Sequence, residues 1–394
     1  MKFPARLLSL LLAGSMLFAL AACSGQNADE PSSPSETASS SPETTADSLL
    51  PEDFVVDTSV EDVCLATLGV PGKSELFTVN GTPVTAHNYL YWLLRCIEEI
   101  ETYMSYFGIP LDMSADATLA ENIKANALTA AAQQSVVKTK AKELGFDLTA
   151  EQVSELDVNL ALSAQYMGGN EVFLDKLRKA GFDFDSFYAV NAASYYYLQL
   201  KNGLFSAPPT VEDMVTYIKD NDILLAKHIL LMTVDATTRQ PLDEATIAQK
   251  KATAEDILSQ LQTSDDLLAD FDALMHLYSE DPGLASYPDG YTFTAGEMVP
   301  EFETATRELE YGQVSGIVES STTGYHIILR LNPDTEAARA DYQDAQLTSQ
   351  IETWAAEAEI VPSEAYNAID IALFYEKYAA YQTAFAQEAA AATP

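Results

Sequence analysis

The spacing of apolar residues divides the chain into a helical region, a mixed region and a second helical region. Between residues 60 and 222, apolar residues recur every three or four positions over long stretches, which predicts helices. Near the start, Asn80-Gly81 between two short apolar runs predicts a tight hairpin. Residues 223–332 mix short β-branched runs with helical stretches, and residues 333–394 return to helical spacing. The pattern predicts an α+β multidomain protein in which a mixed domain is inserted into a mostly helical one.

The mixed region carries four predicted strands. The first covers Ile229 to Val234, the second lies in "YTFTAGEM", and the last two form a hairpin in "GQVSGIVESSTTGYHIILRL". Two amphipathic helices are predicted between the first two strands, and a shorter one in "VPEFETATREL". We therefore expect a small sheet with the helices packed on one side.

Cap residues support the predicted helix starts. Thr85 is suited to cap the helix that follows the hairpin, and Thr149 with Gln152 is typical of a capping box. Ser264, followed by two aspartates, is the predicted cap of the second helix in the mixed region.

The first residues have the features of an export signal. Lys2 and Arg6 precede the apolar run "LLSLLLAGSMLFAL", which is short for a membrane span, and small residues lead to Cys23. Residues 1–22 with Cys23 resemble a bacterial lipoprotein signal, in which Cys23 is lipidated and becomes the mature N-terminus. An ordinary secretory peptide is the alternative. Residues 23–59, rich in Ser, Pro, Thr and Glu, are predicted to be a disordered tether.

Charge and cysteine content narrow the class of protein. The chain has 394 residues and a formal net charge of −38. This charge argues against a nucleic-acid partner and against polybasic attachment to anionic lipid. Besides Cys23, only Cys64 and Cys96 are present, so a disulfide between them is possible but not expected.

Two of the four histidines lie inside predicted strands. His228 stands in "AKHILLMTV" and His326 in "TTGYHIILRL". A single histidine in a strand is more often a core residue than a functional one. Of the other two, His87 beside a helix cap is predicted to be a surface residue, and His276 on a helix is predicted to be a structural or surface residue.

The sequence segments around both strand histidines resemble those of a known family. In order, "AKHILL", "LYSEDPG", "FTAGEMVPEFETA", "LEYGQVSGIVES" and "TGYHIILRL" resemble a parvulin-type peptidyl-prolyl isomerase domain across residues 223–332. With the lipoprotein signal and the flanking helices, the whole chain resembles the PrsA-like foldase lipoproteins of Gram-positive bacteria. The resemblance implies a four-stranded antiparallel sheet, and flanking segments 60–222 and 333–394 that form one SurA/PrsA-like chaperone domain.

The resemblance also implies a site. Its expected catalytic residues are His228, Asp281, His326 and Thr323, and its expected substrate-binding residues are Met298, Phe302, Phe293 and Tyr291. The two imidazoles are expected on neighbouring strands, either bonded to each other or sharing Thr323. No cofactor is implied. A metal held by the two histidines and Asp281 is conceivable but not predicted, because nothing shows ligand spacing.

One stretch departs from the family pattern. In "YPDGYTF", Gly290 stands where an apolar pocket residue is usual, and Tyr291 or Leu284 is the expected replacement. In the loop after the first strand, "TVDATTRQPLDEA", Arg239 is the only basic residue and the other charged residues are acidic. A phosphate would need a basic cluster, so this loop argues against recognition of phosphoserine-proline.

The expected function is isomerisation of X-Pro bonds in unfolded secreted proteins by a lipid-anchored chaperone on the extracytoplasmic face of a Gram-positive-type cell membrane. Its partners would be those unfolded chains and, through lipidated Cys23, the bilayer; homodimerisation stays open. The main alternative is a holdase or scaffold whose parvulin domain is inactive. A solute-binding lipoprotein is a further alternative, which the long helical stretches disfavour.

Two groups of aromatic residues allow both a structural and a functional interpretation. The first recurs on one face of the last predicted helix: Phe374, Tyr378, Tyr381 and Phe385. We expect it to pack inward rather than bind clients. The second is the run Tyr195–Tyr197, of which at least one side chain should be accessible, because adjacent helical residues point in different directions.

Overall fold

The structure is a computed structural model that describes residues 48–392. The predicted signal peptide (1–22), the predicted lipidation site Cys23 and residues 24–47 of the tether lie outside this range. Among the helices that the structure describes, none is long and apolar enough to cross a membrane.

Helices and strands follow the predicted division. The helices are α1 (Val63–Leu68), α2 (Ala86–Tyr106), α3 (Ala117–Glu143), α4 (Ala150–Tyr166), α5 (Asn170–Lys179), α6 (Phe184–Leu204), α7 (Val211–Asp220), α8 (Glu244–Gln262), α9 (Leu267–Tyr278), α10 (Pro300–Glu308), α11 (Glu336–Glu357), α12 (Glu364–Asn367) and α13 (Ile371–Ala392). The strands are β1 (Glu75–Val79), β2 (Thr82–Thr85), β3 (Leu224–Met232), β4 (Tyr291–Phe293), β5 (Val318–Ser320), β6 (Gly324–Leu331) and β7 (Ile360–Pro362).

The chain separates into two compact units. The helical unit consists of residues 48–206 and 344–392, and the mixed unit consists of residues 207–343. The mixed unit is longer at both ends than the predicted 223–332, because α7 and the first part of α11 belong to it. The rings of Tyr217 and Tyr342 lie 5.4 Å apart between centroids, and Arg339 donates to the Pro209 carbonyl at 2.7 Å.

A small sheet opens the helical unit. Asn80 and Gly81 both have positive φ, 49° and 75°, as the predicted tight turn between β1 and β2 requires. The expectation of helix throughout 333–394 is wrong at β7, which pairs with Phe77–Val79 of β1. Ile360 and Val361 are β-branched and Pro362 resists helix, so tertiary pairing decides the conformation here.

The last helix of the helical unit packs inward. Phe374, Tyr381 and Phe385 are buried, which confirms the packing interpretation of this aromatic row. Phe54, from the predicted tether, contacts Tyr381 with ring centroids 6.4 Å apart. Residues 48–59 therefore lie against the helical unit rather than extending freely, because they include apolar side chains that can be buried there.

The tyrosine run on α6 divides as helical geometry requires. Tyr196 and Tyr197 are buried in a core cluster, whereas Tyr195 is partly exposed and its hydroxyl accepts a hydrogen bond from Asn159 at 3.2 Å. The prediction of at least one accessible ring is confirmed.

The mixed unit contains the predicted four-stranded antiparallel sheet, in the order β4-β3-β6-β5. In the central pair, His228 lies opposite Ile328 and Leu230 opposite His326. Helices cover both faces of the sheet, so the expectation of helices on one side is wrong. β3 and β6 are buried along almost their whole length, and a strand buried on both faces needs cover on each. Helices α8 and α9 cover one face and α10 the other.

Most predicted helix caps are present. Thr85 accepts from the N–H of Asn88, and Thr149 with Gln152 forms a full capping box. The predicted cap at Ser264 is wrong. Asp266 caps α9 instead, while the Ser264 hydroxyl donates to Asp270.

Candidate active site

His228 and His326 meet on the face of the sheet that α10 covers. Alternation along β3 and β6 places both side chains on this face, and the register offsets them diagonally by two residues. The two Nδ1 atoms are 3.0 Å apart, the ring planes differ by 12° and the centroids are 5.2 Å apart. These values describe two nearly coplanar rings in edge-to-edge hydrogen bonding. Of the two predicted arrangements, the imidazoles adopt the direct bond.

The histidine pair belongs to a longer hydrogen-bonded chain. The Thr323 hydroxyl lies 2.7 Å from Nε2 of His326, and Nε2 of His228 lies 3.1 Å from Oδ2 of Asp281. A carboxylate only accepts, so Nε2 of His228 carries a proton. With both rings neutral, His326 then donates from Nδ1 to His228 and accepts from the Thr323 hydroxyl. Each contact has one donor and one acceptor, and all four predicted catalytic residues are joined.

Asp281 is fixed by three donors. Besides His228, the Tyr291 hydroxyl donates to Oδ2 at 2.7 Å and the N–H of Gly283 donates to Oδ1 at 3.0 Å. Partial burial raises the pKa of Asp281, but the hydrogen bonds outweigh burial and hold its pKa at about 2. Asp281 is therefore an anion at neutral pH. This result favours the option that it acts through its charge over the option that it is a neutral donor.

We predict that Tyr291→Phe raises the pKa of Asp281 toward the ordinary range of a carboxyl group, because one hydrogen bond to the carboxylate is lost. The measurement is an NMR pH titration of the Asp281 side-chain carboxyl. Tyr287→Phe is the matched control, since its exposed ring packs on Tyr291 with centroids 4.8 Å apart. An unchanged Asp281 pKa in Tyr291→Phe contradicts the bond.

His326 is the most deeply buried titratable residue in this hydrogen-bonded series. Its side chain is 3% exposed, and burial, reinforced by neighbouring His228 and opposed by Asp281, lowers its pKa to about 3. The histidine pKa in an unfolded chain is about 6.5. Between pH values of about 3 and 6.5, this histidine is therefore protonated more readily in the unfolded chain than in the folded chain.

We predict that the mixed unit loses stability as the pH falls from about 6.5 toward 3, because protonation of His326 favours the unfolded chain. The stability that depends on neutral His326 is fully present above about pH 6.5, the pKa of histidine in the unfolded chain. Calorimetric unfolding of the full chain at several pH values measures it. In His326→Gln the pH dependence should be shallower than in wild type, whereas His276→Gln, at an exposed site, should match wild type. Equal slopes for His326→Gln and wild type contradict the prediction.

An apolar floor lies beside the histidines. The Phe302 ring, on α10, is 5.2 Å from His228 and 5.5 Å from His326 between centroids, and Phe293 is 5.7 Å from Phe302. Phe302 and Phe293 are each only 2% exposed, whereas Met298, in the same cluster, is partly exposed. The predicted substrate-binding residues are thus brought together, with Met298 nearer the surface and the phenylalanines beneath.

Gly290 cannot be replaced by the usual apolar residue without a backbone change. Its φ is 101°, and a Cβ there would lie 2.7 Å from the carbonyl oxygen of Ala226. Leu284 packs in the core on the opposite face of the sheet, so it does not replace the missing side chain. Tyr291 does approach the site, with its ring 5.6 Å from His228. Sequence reasoning missed its bond to Asp281, because no pattern in the irregular loop between them indicates it.

The comparisons with known proteins match the part of the chain that carries this site. The family model for the PPIC-type PPIASE domain, also called Rotamase, matches residues 228–332. These residues are a parvulin-type peptidyl-prolyl isomerase domain. The predicted resemblance is confirmed, and we refer to this part of the mixed unit as the parvulin domain.

Relatives of the chain include foldases. Foldase protein PrsA of Halalkalibacterium halodurans is 44% identical over 84 residues, which are 21% of this chain and 24% of that protein. Foldase protein PrsA of Oceanobacillus iheyensis is 31% identical over 210 residues, 50% of this chain and 57% of that protein. The chain thus matches between a quarter and somewhat over half of their length. The crystal structure of PrsA from Bacillus subtilis aligns with 79% of this chain and 93% of its own, at 20% identity and a TM-score of 0.23.

Proposed function

We propose that the chain is a membrane-anchored extracytoplasmic foldase whose parvulin domain accelerates cis/trans isomerisation of X-Pro bonds in unfolded secreted proteins. One observation carries the proposal: the bonded pair His228 and His326 ends on the anionic Asp281 beside the apolar floor at Phe302. No cofactor is needed for this chemistry, since no covalent bond is broken.

The geometry suits rotation about an amide bond. The barrier of about 18–20 kcal/mol comes from the partial double-bond character of C–N, which leaves negative charge on the carbonyl oxygen of the planar amide. The twisted amide has lost that resonance and carries less charge on its oxygen. A fixed anion beside the oxygen therefore favours the twisted form, while the apolar floor holds the proline ring. With a pKa of about 2, Asp281 has no proton to donate at neutral pH and is a weak base, so the proposal assigns it no proton transfer.

An isomerisation assay tests the enzymatic part. The full chain is added to a short peptide with one X-Pro bond, and the cis/trans exchange rate is followed by NMR or by coupled proteolysis. The expected result is an exchange time well below the uncatalysed time of about 10–100 s. Exchange at the rate of buffer alone removes the enzymatic proposal.

The inactive holdase is the second candidate, and two observations favour it. Gly290 leaves the usual pocket side chain absent, and Phe302 is almost fully covered by its surroundings. A holdase would suppress aggregation of an unfolded protein while leaving the exchange rate of the peptide unchanged. Measuring both activities on one preparation separates the candidates.

The chaperone part of the proposal is supported by apolar surface on the helical unit. Tyr103, Tyr106, Phe107 and Ile109, at and after the end of α2, are all exposed. Exposed apolar side chains in one stretch are typical of surfaces that contact other proteins. Unfolded secreted chains, with apolar residues near their prolines, suit this surface.

The anchor is a separate part of the proposal, supported by the "LAAC" sequence that ends in Cys23. Growth with a labelled fatty acid should label the wild-type chain and leave Cys23→Ser unlabelled. The same variant should move from the membrane fraction to the soluble fraction. Labelling of Cys23→Ser, or membrane retention without Cys23, contradicts the anchor.

A further inference from the structure

A cluster of three different metal-ligand types lies in the helical unit. A carboxylate oxygen of Asp62, the Sγ atom of Cys64 and an imidazole nitrogen of His87 are all within 4.8 Å of one another. Cys64 is fully buried and His87 is 7% exposed. The prediction that His87 is a surface residue is wrong, because its backbone N–H bonds to the Gly72 carbonyl at 2.8 Å and draws the start of α2 inward.

Two of these side chains are held in place by their surroundings. The Asp62 carboxylate accepts the N–H of Leu65 and the N–H of Gly72, each at 2.9 Å. Nδ1 of His87 lies 3.5 Å from Oδ1 of Asp183. A carboxylate beside one imidazole nitrogen is the usual partner of a metal-bound histidine, since it orients the ring and leaves the other nitrogen for the ion.

The backbone of Gly72 lies close to this other nitrogen without blocking its lone pair. A Cβ at Gly72 would lie 1.8 Å from Nε2 of His87, 2.2 Å from Cδ2 and 2.4 Å from Cε1. These three distances place Gly72 over the face of the ring, away from the in-plane lone pair of Nε2. The close approach also requires glycine at this position.

A cavity reaches two of the three side chains of the cluster. A cavity of about 610 Å³ in the helical unit is lined in part by Asp62, His87 and Asp183. Lys73 also lines this cavity and lies 3.1 Å from Asp183, so part of the acidic charge there is already neutralised. Cys64 is fully buried and does not line the cavity, so an entering ion meets Asp62 and His87 first, and water in the cavity can supply a fourth ligand.

We propose that Asp62, Cys64 and His87 bind one divalent transition-metal ion of the zinc class. Sulfur, nitrogen and carboxylate oxygen together suit Zn²⁺, whereas Mg²⁺ and Ca²⁺ prefer oxygen alone. Bond lengths of about 2.0–2.3 Å to a tetrahedral ion place ligand atoms about 3.5 Å from one another. The three atoms already lie within 4.8 Å of one another, so no pair has to approach by more than about 1.3 Å on binding. The thiol loses its proton to the solvent as the Cys64–metal bond forms. The ion then ties α1 to the start of α2.

This site differs from the metal considered at His228, His326 and Asp281. The sequence offers no ligand spacing here either, because the hairpin β1–β2 separates Cys64 from His87 and only the fold brings them together. The proposal is also independent of isomerase activity, since the cluster lies outside the parvulin domain.

Cobalt binding to the full chain tests the proposal. Co²⁺ replaces Zn²⁺ in such sites, and a bound thiolate produces a charge-transfer absorption that oxygen ligands do not. In a Cys23→Ser background, the chain should bind one Co²⁺ with this absorption and release it when Zn²⁺ is added. Surface carboxylates can bind Co²⁺ weakly without the thiolate signal, so such binding alone counts against the site.

Variants assign the ligands. Cys64→Ser should abolish the thiolate absorption, whereas Cys96→Ser, which removes the other free cysteine, should retain it. Asp183→Asn should retain the absorption but weaken the affinity about 10–100-fold, as for other partners of metal-bound histidines. Absence of thiolate absorption in the starting chain, or its survival in Cys64→Ser, overturns the proposal. The first of these outcomes requires no substitution within the cluster itself.

Discussion

Asp281→Asn should lower kcat/KM for a prolyl peptide by about 100-fold, the size of effect seen when one fixed electrostatic group is removed from an active site. Asparagine keeps the shape of the side chain and can still accept a hydrogen bond from His228, but it removes the negative charge. The mechanism proposed above assigns the rate enhancement to this charge. The measurement is the NMR exchange rate of the peptide at several enzyme concentrations.

The matched control is Asp289→Asn, in the same loop but exposed to solvent. This variant removes the same formal charge from the chain and should keep kcat/KM within about twofold of wild type, because exposed charges are screened. Calorimetry of both variants separates loss of activity from loss of fold. If Asp281→Asn is fully folded and as active as the control, Asp281 does not act through its charge.

The family resemblance was sufficient to place the two histidines on neighbouring strands, within reach of each other. Each lies in a short apolar run, and the segments on both sides that resemble the family indicate the order of the strands. The register was not predictable from the same segments. Whether His228 met His326 directly or through Thr323 depended on a diagonal offset that only the paired strands define.

Other features depended on contacts between residues far apart in sequence. Tyr291 reaches Asp281 across an irregular loop, and such loops carry no periodicity from which a contact can be inferred. β7 is a three-residue strand, too short for alternation to be recognised, and it forms because β1 offers an edge. His87 stands beside a polar cap, so its local sequence favours exposure, whereas its backbone bond to Gly72 makes it buried.

The expected pocket also changes once packing is considered. The family pattern suggested that another side chain replaces the one absent at Gly290. The backbone at Gly290, just before β4, instead passes so close to Ala226 that no side chain fits there, and the Tyr291 hydroxyl bonds to the Asp281 carboxylate. The loop that departs from the family pattern therefore tightens the hold on Asp281 while leaving the floor at Phe302 in place.

The largest effect on stability is expected at Gly324, the first residue of β6. Its φ is 141°, which side chains rarely adopt, and a Cβ would lie 2.2 Å from the Leu231 oxygen and 2.7 Å from the Thr233 nitrogen. Both are backbone atoms of the paired segment and cannot rotate away. Gly324→Ala should therefore destabilise the mixed unit by about 3–5 kcal/mol, from strain and overpacking together. That loss is a large part of the stability of an ordinary domain.

Gly316→Ala is the matched control, because a Cβ at Gly316 meets nothing within 4 Å and the residue has no unusual φ. It should change stability by less than about 1 kcal/mol and can raise it, since alanine restricts the unfolded chain. Calorimetry of the full chain should show one transition lowered in Gly324→Ala and unchanged in Gly316→Ala. The two tryptophans, Trp92 and Trp354, lie in the helical unit, so their fluorescence reports the other unit in the same samples. If Gly324→Ala unfolds like wild type, the pairing of β3 with β6 differs from that described, and the alignment of His228 with His326 is lost with it.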